Sequence, residues 1–337
     1  YILWQDKTKS QLIDRRGKVL FNFPGNLCSF NNDQKKIFAH VGGNLIAYNK
    51  DLDIIWRKDL FVDHELIITP DQKILLYSVD YDTIGRIIVR YDAILCFDTL
   101  GKLASKWSSL DQQDYLVKYM IDSAKTFIFK SAQNEQPKDI LKRIAVSLTG
   151  ITTNENEREL IHMNAIQVIP PNSPEEKIPA FRKGNLLLSF CSYNDSIKSF
   201  IAIADPVNYQ LLWFYSEENG RQIHTPAVID NGNILFYANS FCNQTDDSSS
   251  VVEINPLTKK VVWQYTENFP DSPQRCSHGS CQRLANGNTL ISNISGYIYE
   301  VTPDKNIVWK WQTNETRHLY RAFLYPEGKL DWLLNND

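Results

Sequence analysis

Gln222-Ile223-His224 opens a stretch that runs through Asp230-Asn231-Gly232-Asn233, Ile234-Leu235-Phe236-Tyr237, Val251-Val252-Glu253-Ile254 and Asn255-Pro256-Leu257-Thr258 to Val261-Val262-Trp263. Its apolar runs are too short for helices and rich in β-branched and aromatic side chains, which suits strands. Turn residues separate the runs: Gly accepts positive φ, and Asn hydrogen-bonds its own backbone. The stretch therefore reads as a four-stranded antiparallel meander.

The same unit recurs on both sides: a strand, a polar turn opening with Asp, Asn or Thr, then a strand ending near an aromatic. It appears at Asp14 with Phe21, Asn49 with Trp56, Asp98 with Trp107, Asp205 with Trp213, Asn255 with Trp263 and Thr302 with Trp309. A second turn precedes each copy. It is Asn231-Gly232-Asn233 here, Asn286-Gly287-Asn288 and Lys183-Gly184-Asn185 elsewhere, with Asp71-Gln72-Lys73 and Asp33-Gln34-Lys35 filling the slot without Gly. Four strands per copy at about 40–50 residues is the pattern of a β-propeller, in which each aromatic wedges between neighbouring blades.

Six copies predict an all-β, six-bladed propeller spanning residues 1–337 as a single domain. The gap between Asp98 and Asp205 has room for a seventh blade, but residues 108–161 contain no turn-to-Trp unit. That segment reads as a long inter-blade excursion, with helical turns expected at Gln113–Ile121 and Asp139–Ile144. At the C-terminus, Pro326-Glu327-Gly328-Lys329 precedes Leu330-Asp331-Trp332. This piece is expected to supply the first two strands of the blade whose last two lie in Tyr1–Phe23. Such closure removes exposed sheet edges.

Of the 337 residues, 43% are hydrophobic, enough for a sizeable core, and the net charge is −3. No basic field favours nucleic acid, and no apolar run is long enough for a membrane span. A processed signal peptide would leave no trace in a chain that opens at Tyr1. The six cysteines are irregularly spaced; Cys276 and Cys281 are near enough for a local disulfide, the alternative being buried thiols. The sequons at Asn194, Asn243, Asn293 and Asn314 are what chance gives in an Asn-rich chain.

Three histidines share one place in the repeat. His224 lies eight residues before Gly232, His64 eight before Gln72, and His162 opens the corresponding strand ahead of an insertion at Pro170–Arg182. The first strand of each blade lines the central channel, so equivalent positions form a ring at one mouth. A single histidine there would be a satisfied polar residue at a strand end; three at one level indicate a functional cluster. In the sixth blade the slot falls at Gly279, beside His278, and in the closing blade at Tyr320, beside Arg321. His40 and His318 lie outside the pattern. Such a ring suits nucleophilic catalysis with a neighbouring imidazole as acid or base, or a His-only metal site.

These residues resemble the bacterial arylsulfate sulfotransferases, a family of six-bladed propellers. Asp63-His64-Glu65 resembles the family's His-His-Asp, His162-Met163-Asn164-Ala165-Ile166 its His-x-Asn-Ser-Ile, and Gln222-Ile223-His224 its Gln-His ahead of a Gly-rich turn. Cys281-Gln282-Arg283-Leu284 and Tyr320-Arg321-Ala322 resemble the two blades that follow. The resemblance implies sulfuryl transfer from a phenolic sulfate ester to a phenolic acceptor, with no cofactor and no metal. His224 would be the nucleophile, His64 and His162 would stabilise charge or move protons, and Asn164 and Arg321 would bind substrate. It also implies a periplasmic or secreted protein. Two departures stand out. Cys191, in Leu188-Ser189-Phe190-Cys191, occupies the place of a sulfate-binding Arg, leaving Arg321 or Lys198 as substitute cations. Gln222-Ile223-His224 is one residue longer than Gln-His. The alternative is a non-catalytic propeller that binds a ligand or protein at the same mouth.

Overall fold

The computed structural model describes residues 1–6, 8–84, 86–112, 157–159, 162–191, 199–217, 221–239, 248–266, 278–313 and 319–334. Their strands form six sheets, the six blades of a propeller. Blade 1 holds β1 (Ile2–Gln5), β2 (Ser10–Ile13), β3 (Val19–Phe23) and the last strand of the chain, β25 (Arg321–Leu324). Blade 2 holds β4 (Leu27–Asn31), β5 (Lys36–Val41), β6 (Asn44–Tyr48) and β7 (Ile54–Asp59). Blade 3 holds β8 (Asp63–Ile68), β9 (Ile74–Ile84), β10 (Ile87–Phe97), β11 (Leu103–Ser108) and the added β12 (Glu157–Glu159). Blade 4 holds β13 (His162–Val168), β14 (Leu186–Cys191), β15 (Phe200–Ala204) and β16 (Leu211–Ser216). Blade 5 holds β17 (Ile223–Val228), β18 (Ile234–Ala238), β19 (Ser250–Ile254) and β20 (Val261–Thr266). Blade 6 holds β21 (Ser280–Arg283), β22 (Thr289–Ser292), β23 (Tyr297–Val301) and β24 (Ile307–Gln312).

The middle strands β6, β14, β15, β18 and β19 are buried at every residue, because neighbouring blades cover both faces. That is why they read as unbroken apolar runs instead of alternating ones. The outer strands β7, β20 and β24 are largely exposed.

The recurring turn joins the third and fourth strands of each blade. Its Asx side chain accepts the backbone N–H groups across the turn: Asp14 Oδ1 from Arg16 and Lys18, Asn49 Oδ1 from Asp51 and Asp53, and Asp98 Oδ1 from Leu100 and Lys102. The aromatic of the fourth strand reaches the same turn of the next blade. Trp56 Nε1 donates to Thr99 O at 3.1 Å, Trp263 Nε1 to Pro303 O at 2.8 Å, and Trp309 Nε1 to Arg15 O at 2.9 Å, the last closing blade 6 onto blade 1. Trp107 stacks on Tyr209 with centroids 5.8 Å apart, and Lys259 lies over the Trp213 ring. The wedge expected from the sequence is thus a contact of both packing and hydrogen bonding.

The ring closes through the termini, but not strand for strand as expected. Blade 1 runs β25-β1-β2-β3, so the C-terminal segment supplies one strand and the N-terminal segment three. Ile2 pairs with Leu324 and Gln5 with Arg321, which leaves no edge for Leu330–Trp332 to join. That segment instead forms a turn and a short α1 helix (Asp331–Leu334), whose Leu330 and Leu333 pack into the cluster of Leu3, Phe30 and Ile46.

Blade 3 departs from the common plan. β9 and β10 pair over eleven residues, from Ile74↔Phe97 to Ile84↔Ile87. β11 covers β10 only as far as Ala93, and beyond it β12 pairs in parallel with Ile88–Arg90. The expected helical turns at Gln113–Ile121 and Asp139–Ile144 lie outside the described residues, as does Cys276. Cys281 is a buried free thiol, like Cys28, Cys96 and Cys191.

Candidate active site at the channel mouth

The first strands of blades 3, 4 and 5 each carry a β-bulge near the mouth. β8 steps from Asp63↔Tyr77 to Leu66↔Leu76, β13 from Met163↔Phe190 to Ala165↔Ser189, and β17 from His224↔Tyr237 to Ala227↔Leu235. The corresponding strands β4, β21 and β25 pair in unbroken register. Bulges re-aim side chains at sheet ends, and these three lie at the expected histidines. His64, Thr225 and His278 also take positive φ (48°, 44° and 60°), a conformation that costs energy in non-glycine residues and clusters at functional sites.

The register of His162 differs from the sequence expectation. Counting back five residues from the equivalent turn hydrogen bonds at Thr69, Ile169 and Ile229 reaches His64, Asn164 and His224. Asn164 occupies the common slot, and His162 stands two residues earlier in its strand. The bulge nonetheless brings the rings together: His162 Nε2 lies 2.5 Å from His64 Nε2, with the rings edge to face. The other nitrogen of His162, Nδ1, is 2.8 Å from Glu159 Oε1. Two nitrogens bound to one tetrahedral ion at about 2.1 Å each would sit roughly 3.4 Å apart. The observed spacing is that of a pair sharing a proton. Among the described residues, no group of three His, Cys, Asp or Glu side chains gathers as a ligand set.

His224 lies across the mouth from this pair, with the His278 ring 6.4 Å away. Burial lowers its pKa well below the ordinary histidine value, assisted by the positive potential of His278, His64, Arg321 and His162. It is therefore neutral at physiological pH. Asn239 fixes its tautomer. The amide orientation that satisfies both the N–H and the C=O of His278 points Oδ1 towards His224 Nδ1, 3.4 Å away. Nδ1 then carries the proton, and Nε2 keeps its lone pair.

Arg321 spans the site from β25. It donates to Glu65 Oε1 at 2.5 Å and to the carbonyl of His64, and only 6% of it is exposed. Asn164 is committed within blade 4: it accepts from Ser189 Oγ at 2.5 Å and donates to Cys191 Sγ at 2.8 Å. Cys191 faces His162 across the strand pair and donates to Ile223 O at 3.1 Å. Burial pushes its pKa up to about 12, so it is a neutral thiol and supplies no charge. Along the first strands the channel continues as a cavity of about 370 Å³, lined by Gln5, Glu65, Gln167, Thr225, Gln282 and Arg321. Lys198, the other candidate cation, lies outside the described residues.

The family model described as Arylsulfotransferase (ASST) matches residues 25–314, which takes in all three histidines, their bulged strands and five of the six blades. The chain belongs to the arylsulfotransferase family. Among solved structures, this arylsulfotransferase-family chain is similar to a protein of unknown function from Bacteroides caccae, at 14% identity and a TM-score of 0.54, covering 95% of this chain and 97% of that one. That likeness supports the fold alone. Weaker matches are the Dos1 propeller (9% identity, TM-score 0.44, 91% of this chain and 62% of that one) and BamB from Moraxella catarrhalis (10%, 0.43, 96% and 85%). No curated protein is detectably similar.

Several residues of the site escaped the sequence reading. Glu159 sits three residues before His162, inside what reads as excursion. Asp92 and Tyr77 come from the long hairpin of blade 3, where Tyr77 Oη donates to Asp92 Oδ1 at 2.7 Å and packs beside both rings of the histidine pair. A signal existed for Tyr77: it ends Ile74-Leu75-Leu76-Tyr77 as Tyr237 ends Ile234-Leu235-Phe236-Tyr237, and both tyrosines stand opposite the mouth of a first strand. His278 was visible as a neighbour of its slot, and its ring meets Tyr320 at 4.1 Å.

Proposed function

We propose that this chain transfers a sulfuryl group from a phenolic sulfate ester to a phenolic acceptor, with His224 as nucleophile. The observation that carries the reading is a neutral, desolvated His224, its Nε2 lone pair free of the Asn239 contact, across the mouth from the proton-sharing His64–His162 pair. His224 Nε2 attacks sulfur, the S–O(aryl) bond breaks, and the departing phenolate takes a proton from the pair. A phenol acceptor then attacks the sulfohistidine and returns the group to oxygen, giving up its proton to the same pair. Arg321 and the pair supply positive potential for the sulfate oxygens. The expected partners are therefore an aryl sulfate donor and a phenolic acceptor, with no nucleotide. We also infer a periplasmic or extracellular location, a reading that family membership supports; among the described residues no helix is long and apolar enough to cross a membrane.

The test is turnover of 4-nitrophenyl sulfate in the presence of a phenol. Release of 4-nitrophenol by the wild type, with a loss of at least about 10⁴-fold in His224→Ala, supports the reading. Equal rates in the two proteins would remove His224 from the chemistry. A second reading has its own observation. Cys191 stands where the resemblance leads one to expect a cation, and both Asn164 and Arg321 are already engaged by protein partners. A propeller that only binds at this mouth would retain affinity for 4-nitrophenyl sulfate while releasing no phenol with any acceptor.

A further inference from the structure

Glu159 reaches the site from outside the propeller plan. It is brought there by β12, whose parallel register places it opposite Arg90 on the extended hairpin. The Arg90 Nε lies 3.4 Å from Glu159 Oε1, and both side chains are largely buried. The same carboxylate oxygen faces His162 Nδ1 at 2.8 Å. A ring nitrogen facing a carboxylate carries the proton. His162 Nε2 is then left to share a single proton with His64 Nε2 at 2.5 Å.

The other groups around this pair do not duplicate the role. Asp92, on β10, is occupied by Tyr77 Oη and by the N–H of Met163, and burial together with Glu159 raises its pKa to about 7. Tyr77 on β9 is turned to Asp92, and Cys191 on β14 is a neutral thiol. Glu65, beside His64 on β8, is held by Arg321 from β25. His224 and His278, on the far side of the mouth, bring no carboxylate to the pair. Glu159 is the carboxylate whose contact sets the orientation of the pair.

We propose that Glu159 is a positioning residue for proton delivery: through His162 it holds the His64–His162 pair in the tautomer that hands its shared proton to the departing phenolate oxygen. This inference rests on the sulfuryl-transfer reading above. In the step concerned, the pair starts with three protons on its four ring nitrogens; the N–S bond to His224 forms, the S–O(aryl) bond breaks with its electron pair leaving on oxygen, and the proton between the two Nε2 atoms moves to that oxygen, leaving both imidazoles neutral. Glu159 itself neither gains nor loses a proton.

The dependence on the leaving group tests it. We would measure kcat/KM for the donor with 4-nitrophenyl sulfate, whose phenolate leaves unaided, and with phenyl sulfate, whose phenolate needs protonation. Glu159→Gln should lose about 10-fold with the first donor and about 10³-fold with the second, with the loss in kcat and KM little changed. Glu159→Asp, which keeps the charge but shortens the reach, should fall between; it serves as the readout if the Gln variant fails to fold by thermal unfolding. Equal losses for the two donors, or a loss confined to KM, would overturn the assignment while leaving the sulfuryl-transfer reading intact. A wild type inactive on both esters overturns the reading and this inference together.

Discussion

At the scale of single residues, the site is decided by which groups are charged. Burial drives His224 neutral and keeps Cys191 a thiol, so the cationic character of the mouth rests on Arg321 and on any proton held by the histidine pair. Cys28, Cys191 and Cys281 all have pKa values pushed up to about 12 by burial. A thiol must ionise to react; peptide mapping after a thiol-alkylating reagent at pH 8 should find these three unmodified in the folded protein and modified in urea. Labelling of Cys191 in the native state would show that the mouth is far more open than described. Asp92 gives a pH prediction with a definite sign. Its pKa is about 7 folded against 3.8 in a model carboxylate, so the folded chain holds a proton that the unfolded chain has released. Stability then falls as pH rises from about 4 to 7, by on the order of 3 kcal/mol between pH 5 and 8. Asp92→Asn removes the titration. Urea unfolding should show the stability of Asp92→Asn gaining on that of the wild type between pH 5 and 8; a constant gap would mean that Asp92 ionises normally.

At the scale of elements, the repeat was legible because each strand pair ends in a turn with a chemical requirement. Asn231 and Asn233 both donate to Glu253 Oε1, and Asn286 and Asn288 both donate to Glu300 Oε1, each at 2.6–3.0 Å. The second oxygen of each carboxylate takes an arginine from the next blade: Arg283 for Glu253 at 2.6 Å, and Arg15 for Glu300. The Asn-Gly-Asn turn is thus an inter-blade fastening as well as a bend. Glu253→Ala leaves a half-buried guanidinium and two amides, one of them on the exposed Asn231, without their acceptor and should cost about 1–3 kcal/mol in denaturant unfolding. A cost below about 1 kcal/mol would show that solvent replaces the carboxylate. What stayed hidden at this scale were features with no local period. The bulges at His64, Asn164 and Thr225 change register without changing composition, and the insertion at Pro170–Arg182 separates His162 from its turn, so His162 was given the slot that Asn164 holds because it opens the strand. β12 is three residues long, and its pairing with β10 depends on a hairpin extension that sequence spacing cannot locate. Glu159 was missed for that reason.

At the scale of the whole molecule, six blades were readable because six aromatic wedges repeat, and closure was readable because the termini were complementary. The division of the closing blade was not. Ile2–Gln5 and Leu330–Trp332 are both apolar enough to be its second strand, and pairing with Leu324 decided in favour of the former. We propose that the chain is one cooperative domain. Truncation after Thr313 removes β25 and exposes the edge of β1, and it also strips Arg321 from Glu65. The shortened protein should aggregate; a soluble monomer of unchanged stability would contradict closure through β25. The ring matters for chemistry because it draws His64, His162 and His224 from three blades to one mouth and Arg321 from a fourth. The most direct test of that arrangement is to mix the protein with 4-nitrophenyl sulfate in the absence of an acceptor and to analyse the quenched protein by peptide mass spectrometry. The account predicts a stoichiometric burst of 4-nitrophenol and a sulfuryl group on His224. A burst with the group on another residue, or turnover with no protein adduct, would contradict it.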